Sequence, residues 1–363
     1  MTSGVARLLE FGQSPWYDNL TRALARGGLQ GLVDEHGIRG VTSNPTIFEK
    51  AMGAGHDYDG ELRELAAGGM PVDQIYWTMV ERDIADAADL LRPVYDTSTD
   101  GDGVVSIEVN PDLAHDTAST IAQARELFAK LGRPNVMIKI PATAEGLPAI
   151  TEAIAAGINV NITLIFALSR HREVIDAYLT GLERRVANGE DIAQIHSVAS
   201  FFVSRVDTET DRRLPDGNAR RGKAAVANAK LAYQLFLREF AGPRWETLAA
   251  KGARRQRPLW ASTSTKNPAY SPTVYVDELI GRDTVNTLAQ ASVDALATGQ
   301  GNLRADSVTE DVDDARAVME DLLAAGVDID DVTATLEREG VASFSASYHD
   351  ALDTLAKKAR ELK

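Results

Sequence analysis

Cysteine is absent from the 363-residue chain. Disulfides, thiolate nucleophiles and cysteine-ligated metals are therefore excluded, and the composition suits a cytoplasmic location. Histidine is sparse, with residues at 36, 56, 115, 171, 196 and 349 and no pair spaced as metal ligands on a helix. No run of about 18 apolar residues occurs, so no membrane span is expected. The N-terminal stretch "MTSGVARLLEFGQSPWYDN" lacks a basic region followed by an apolar one, so no secretory signal is expected. Nucleotide loops are missing too. The Gly-x-Gly triplets at 53, 101 and 299 lack the third glycine, and "RGKAAV" has a Gly-Lys pair without the rest of a Walker loop. Neither a metal nor a nucleotide cofactor is expected.

Positive charge is also in short supply. The net charge is -15, a surface that repels a phosphate backbone. The densest basic cluster, "KGARRQR" at 251–257, is short and without interleaved aromatics, and reads as a solvated loop. Nucleic acid is not an expected partner. Sugar phosphates and other small anions remain open, because a local pocket can be positive on an acidic protein.

What is present is a regular alternation. Hydrophobic residues at 44% and charged residues at 25% are the profile of a soluble globular chain. Short apolar runs read as strands at 14–18, 38–42, 104–109, 136–140, 158–166, 195–200, 258–262 and 284–288. Between them lie helical patterns, clearest at 171–187, where Val174, Ile175, Tyr178, Leu179, Leu182 and Val186 recur at spacings of three and four. A long helix is expected to open near 204 and to include "NAKLAYQLFLREF", and a C-terminal helix runs through Phe344, Tyr348, Leu352, Leu355 and Leu362. Eight strand–helix units favour a closed parallel (β/α)8 barrel over an open doubly wound sheet. No linker, repeat or low-complexity segment divides the chain, so residues 1–363 read as a single domain. The stretch 43–103 is an insertion between strands two and three with extra helices, the longest at about 71–92. Oligomeric state is not legible, and a homodimer stays open.

Barrel enzymes place their active sites at the C-terminal ends of the strands, and a polar set gathers there. It comprises Asp18, Asn44, Glu108, Lys139, Asn161, Thr163, Ser200, Arg205, Ser264 and Lys266. Several have plain structural readings. Asp18 could cap a helix before "NLTRAL", Asn44-Pro45 is a turn dipeptide, Thr163 suits any strand, and Arg205 could solvate a helix start. His196, in a strand without a serine or cysteine arrangement to serve, reads as a buried structural histidine. Glu108 and Lys139 are harder to set aside, since an interior charge is costly unless paired or used. They could form a structural ion pair. Alternatively, desolvation disfavours an ammonium, and a lysine in a dry site becomes an amine able to attack a carbonyl and form a Schiff base.

Longer motifs carry a resemblance. "GVTSNPTIFEKA" at 40–51, "VMIKIPAT" at 136–143, "GINVNITLIF" at 157–166, "SVASFFVSRVD" at 197–207 and "LWASTSTKNPAYSPTVYVDELIG" at 259–281 resemble, in order, the signature segments of the longer bacterial transaldolases. The resemblance implies a (β/α)8 enzyme without metal or organic cofactor. Such an enzyme moves a dihydroxyacetone unit between sugar phosphates in the non-oxidative pentose phosphate pathway. It also implies Lys139 as the Schiff-base residue, Asp18 as the base at the C4 hydroxyl, and Glu108 with Thr163 as a water-mediated proton shuttle. Asn44, Asn161 and Ser200 would then hold sugar hydroxyls, and Arg205, Ser264 and Lys266 the phosphate.

Lys266 stands where shorter family members place a second phosphate arginine, and lysine lacks the bidentate fork. Whether Ser262 or Ser264 faces the phosphate depends on the alignment of that loop. Phe202, two residues beyond Ser200, carries no hydroxyl to position a hydrolytic water, which favours transfer over the hydrolytic release of a fructose 6-phosphate aldolase. A sugar-phosphate-binding protein without catalysis is the remaining alternative, and the joint presence of Asp18, Glu108 and Lys139 argues against it.

Overall fold

The computed structural model describes residues 3–362. Eight parallel strands close into a barrel in chain order, β1 (Gln13–Tyr17), β2 (Gly40–Thr42), β3 (Val104–Glu108), β4 (Val136–Pro141), β5 (Val160–Ile165), β6 (Ser197–Phe202), β7 (Arg257–Ala261) and β8 (Thr284–Leu288). β8 returns to β1 in register from Gln13 opposite Thr284 to Tyr17 opposite Leu288. Each strand is buried along its whole length, as expected where helices cover the outside and side chains fill the inside. All eight expected strands are present.

The helices that position the site follow the strands. After β1 comes α1 (Leu29–His36), and after β2 the insertion supplies α2 (Pro45–Gly53), α3 (Asp59–Ala67) and α4 (Val72–Thr97). β3, β4 and β5 are followed by α5 (Thr117–Leu131), α6 (Gly146–Ala155) and α7 (Leu168–Ala187). β6 leads into α8 (Ser204–Arg213), α9 (Ala224–Glu239) and α10 (Pro243–Ala249). The chain ends with α11 (Gln290–Ala297), α12 (Val312–Ala324) and α13 (Ile329–Glu361). No described helix is long and apolar enough to cross a membrane.

One expectation is corrected here. The helix opening at Ser204 does not continue into "NAKLAYQLFLREF", because α8 ends at Arg213 and α9 begins only at Ala224. Pro215, Gly217 and Gly222 fill the break, and both glycines adopt positive φ, which a continuing helix cannot contain.

The two ends of the barrel differ in chemistry. At the N-terminal end the Arg257 guanidinium donates to Ser14 Oγ at 3.0 Å and to Asp102 Oδ1 at 2.9 Å. Ser14 donates in turn to Asp102 Oδ2 at 2.6 Å. This self-satisfied network closes the bottom. His196 lies at the same end, at the edge of the Tyr95 ring with centroids 5.8 Å apart. Burial drives its pKa down to about 4, which fits the structural reading. The free polar groups collect at the opposite end.

Candidate active site

Strand register brings the central residues together. Glu108 of β3 pairs in register with Lys139 of β4, and Lys139 with Asn161 of β5. Lys139 Nζ lies 3.1 Å from Glu108 Oε2 and donates to the Ser43 carbonyl at 3.2 Å. Both side chains are buried. Desolvation pushes the Glu108 carboxyl above the ordinary range, against the opposing pull of the Lys139 charge. The 3.1 Å contact is an ion pair out of line for a hydrogen bond. Glu108 Oε2 on β3 and Thr163 Oγ1 on β5, the strands either side of β4, are both buried without a hydrogen-bond partner among the described residues.

Thr163 is aimed by a local departure from the strand. The register of β5 against β6 shifts between Ile162 and Ile165, and Leu164 takes φ of 59°. A leucine there costs about 1–2 kcal/mol of backbone energy, and bulges that redirect a side chain gather beside active sites. Ser262, just past β7, has φ of 55°. Strained backbone thus flanks the cavity on two strands.

A cavity of about 290 Å³ opens above Lys139 and is lined by Asp18, Asn44, Thr163, Ser200, Phe202, Arg205, Ser264 and Lys266, among others. Of the polar set that the sequence gathers at the strand ends, only Glu108 and Asn161 are outside this wall. Glu108 stands behind Lys139, beside Tyr76 and Phe48. Asn161 is fully buried and acts one layer down, accepting from Ser200 Oγ at 2.7 Å and donating to Ser106 Oγ at 3.0 Å. It fixes the Ser200 rotamer.

Asp18 is not a helix cap. Its Oδ1 accepts from Thr42 Oγ1 at 2.8 Å, while Thr21 Oγ1 takes the Leu24 N–H at 3.3 Å, the capping role foreseen for Asp18. Part of its surface faces the cavity, yet loss of hydration raises its pKa, with Lys139, the Thr42 hydroxyl, Lys266 and Arg205 pulling the other way. Asn44 does cap α2, its Oδ1 accepting from Ile47 N–H at 3.0 Å. The cap consumes the carbonyl and leaves the amide N–H groups for the cavity.

The far wall is cationic. Arg205, at the start of α8, sits with Cζ 5.5 Å from the Phe202 ring centroid, and desolvation lowers its pKa from a very high starting value. Lys266 and Lys50 also line the cavity, so that among the described residues four basic side chains, counting Lys139, face the single carboxylate of Asp18. The pocket is positive on a chain of net charge -15. Ser262 Oγ is engaged with Ser204 Oγ at 2.9 Å, whereas Ser264 Oγ lies 3.5 Å from Lys266 Nζ. Ser264 is the freer of the two.

Sequence reasoning missed Thr42, Ser43 and Phe344. Phe344 comes from the C-terminal helix α13, lines the cavity, and places its ring centroid 5.6 Å from Lys139 Nζ. Its periodicity marked it as packing, and nothing local says that α13 lies against α2 at the barrel mouth. Thr42 was in plain view beside "SNP", but a strand threonine carries no signal until its partner is known. Among the described residues no cluster of His, Asp or Glu could hold a metal ion. The arrangement can instead hold an anionic carbonyl compound against an amine, with a carboxylate on each side of it.

Comparison with known proteins agrees with this geometry. The family model described as Transaldolase/Fructose-6-phosphate aldolase matches residues 15–355. A protein named Transaldolase from a Parafrankia species is 50% identical over 361 residues, covering 98% of each chain. Transaldolase 1 of Streptomyces avermitilis is 51% identical over 360 residues, 98% of this chain and 95% of its own. The Transaldolase of Thermobifida fusca is 50% identical over 364 residues, 99% of each.

Proposed function

We infer that this chain, which belongs to the transaldolase/fructose-6-phosphate aldolase family and is an enzyme of its transferase kind, transfers dihydroxyacetone between sugar phosphates through a Schiff base on Lys139. The reaction is sedoheptulose 7-phosphate plus glyceraldehyde 3-phosphate giving erythrose 4-phosphate plus fructose 6-phosphate. It would place the enzyme in the non-oxidative pentose phosphate pathway of the cytoplasm. The observation that carries the reading is Lys139 Nζ, held by Glu108 and the Ser43 carbonyl at the floor of a cationic cavity that also holds Asp18.

The steps are those that the resemblance implies, and the geometry supports them. Lys139 gives its ammonium proton to Glu108, and the free amine adds to the C2 carbonyl of the ketose, its second proton passing to the carbonyl oxygen. Glu108, through a water at Thr163, supplies the proton that lets the carbinolamine hydroxyl leave as water. The resulting iminium is an electron sink. Asp18 takes the C4 hydroxyl proton, the C3–C4 bond breaks, its electron pair moves into the iminium, and the aldose phosphate departs. The enamine left on Lys139 then attacks the carbonyl carbon of an acceptor aldose, Asp18 returns the proton, and hydrolysis of the new iminium frees the product. Asn44 and Ser200, the latter steadied by Asn161, hold the dihydroxyacetone hydroxyls. Arg205, Ser264 and Lys266 hold the phosphate, where charge-assisted contacts are strongest.

Phe202, buried against Phe166 with centroids 5.1 Å apart, presents an apolar wall to the enamine and favours transfer over hydrolysis. A coupled assay with fructose 6-phosphate tests this directly. Glyceraldehyde 3-phosphate should be released in step with added erythrose 4-phosphate. Steady release without any acceptor aldose would identify an aldolase instead.

A further inference from the structure

Residues 264–272 carry Ser264 and Lys266, and buried threonines secure the turn at both ends. Thr263 Oγ1 lies 2.9 Å from Asn286 Oδ1, and Thr273 Oγ1 donates to Asp277 Oδ2 at 2.8 Å. Between these anchors residues 266–269 are exposed, and Tyr270 is half-buried. The Tyr270 hydroxyl donates to Asp211 Oδ2 on α8 at 2.6 Å. Among the described residues this is the one side-chain hydrogen bond by which 264–272 reach a distant element.

The receiving surface is shaped for that ring. Asp211 Oδ1 accepts the Gly222 N–H at 2.8 Å, so the carboxylate bridges the turn and the break after α8. Gly222 has φ of +70°, and a Cβ there would lie 2.6 Å from Tyr270 Cζ. The tyrosine is seated on a bare glycine. One helical turn earlier on α8 the pattern repeats, with Asp207 Oδ2 accepting from Tyr275 Oη at 2.7 Å and Oδ1 accepting the Ala225 N–H at 2.8 Å. The same helix carries Arg205 in its first turn. Two aspartates spaced i, i+4 on α8 therefore tie down two tyrosines flanking the end of the turn that bears Ser264 and Lys266.

We propose that the Tyr270–Asp211 latch is a positioning device for phosphate recognition, holding Lys266 and Ser264 opposite Arg205 so that phosphorylated sugars are preferred. The inference rests on the reading of the proposed function that Arg205, Ser264 and Lys266 hold the substrate phosphate. Cations contributed by two separate elements grip one anion well only if their separation is fixed beforehand. Otherwise ordering the exposed turn is charged against binding. The latch acts on the phosphate end alone. Lys139 on β4, Glu108 on β3 and Asp18 just past β1 do not touch it.

The test uses the full-length enzyme and cyanoborohydride, which reduces the iminium in preference to a free ketone. Adduct formation is followed by intact-protein mass spectrometry against concentration of fructose 6-phosphate and, separately, fructose. For Tyr270→Phe the half-saturating concentration of fructose 6-phosphate should rise about ten-fold, the scale of one lost hydrogen bond to a charged group. The maximal trapping rate should hold, and the fructose curve should not move. Gly222→Ala, whose Cβ would lie 2.6 Å from Tyr270 Cζ and 2.8 Å from its hydroxyl and so push the whole phenol off Asp211, should give the same selective shift. Arg205→Ala is run beside them. If it is selective for the phosphorylated sugar while Tyr270→Phe matches wild type, the latch is overturned and the phosphate reading stands. If Tyr270→Phe weakens both sugars equally, its role is in the fold and the latch is likewise overturned. Equal losses on both sugars in Arg205→Ala would overturn the phosphate reading itself and the latch with it.

Discussion

Lys139 and Glu108 face each other across adjacent strands at 3.1 Å, both buried, and among the described residues no second carboxylate is bonded to the lysine. A buried pair of this kind contributes little net stability, because desolvation cancels most of the attraction, but removing one partner costs about 3–5 kcal/mol. The pair can therefore be structural, catalytic or both. Glu108→Gln keeps the shape while removing both the proton-transfer function and the charge facing Lys139, so turnover has to be read per folded molecule. Turnover should fall by about 10²–10⁴-fold, the range for a lost general acid–base group, while the variant remains folded by circular dichroism. Turnover per folded molecule equal to wild type would assign Glu108 to the fold.

Asp18 must be ionised to accept a proton, and its pKa is raised by burial. The acid limb of kcat/KM should then lie above the ordinary carboxylate range, with activity lost as pH falls through it. Thr42 Oγ1 donates to Asp18 Oδ1 and so favours the charged form. Thr42→Val should move that limb to higher pH and leave any alkaline limb in place. A pH–rate profile unchanged in Thr42→Val would mean that another group sets the limb.

Asp18→Ala should block cleavage without blocking imine formation, because Asp18 is assigned to the C4 hydroxyl alone. Borohydride trapping with fructose 6-phosphate should then accumulate a six-carbon phosphorylated adduct, visible by intact mass. A three-carbon adduct at the wild-type rate would show that some other group is the base.

Arg205 is largely desolvated and stands over Phe202, and the proposed function assigns it to the phosphate and not to the reacting bond. Arg205→Ala should cost about 2–4 kcal/mol in kcat/KM for phosphorylated sugars, as expected of a desolvated charge-assisted contact. Turnover of unphosphorylated fructose should change far less.

The barrel was legible because its strands are apolar runs bounded by turn residues, as in "VVSIEV" and "VMIKI". The centre of the candidate site drew attention for a related reason. A charge such as Lys139 in such a run has few inexpensive explanations. What stayed hidden is tertiary. Phe344 reads as one more apolar position of an amphipathic helix until α13 is seen beside the cavity. The helix from 204 was read as too long because the apolar face of α9 drew attention from Pro215, Gly217 and Gly222. Asn161 looked like a ligand residue, and its place one layer below the cavity depends on the pairing of β5 with β6.

Asp207 offers a check on the buried carboxylates away from the reaction. Burial raises its pKa to about 6, opposed by the Ala225 N–H and the Tyr275 hydroxyl. Its unfolded value is about 3.9, so between roughly these two values the folded state holds the extra proton. Stability therefore falls as pH rises through that window. Asp207→Asn keeps an acceptor for Ala225 and removes the titration. Relative to wild type it should gain about 2 kcal/mol between pH 4 and pH 7 in urea denaturation. A stability difference constant across that range would contradict the assignment.

The central claim is that Lys139 is the nucleophile, and trapping the covalent intermediate tests it most directly. Wild-type protein reduced with borohydride in the presence of fructose 6-phosphate should gain mainly a three-carbon dihydroxyacetone fragment, and peptide mapping should place it on Lys139 in β4. Lys139→Ala, folded and treated identically, should gain nothing. A fragment on any other lysine, or an adduct that forms in Lys139→Ala, would contradict the account.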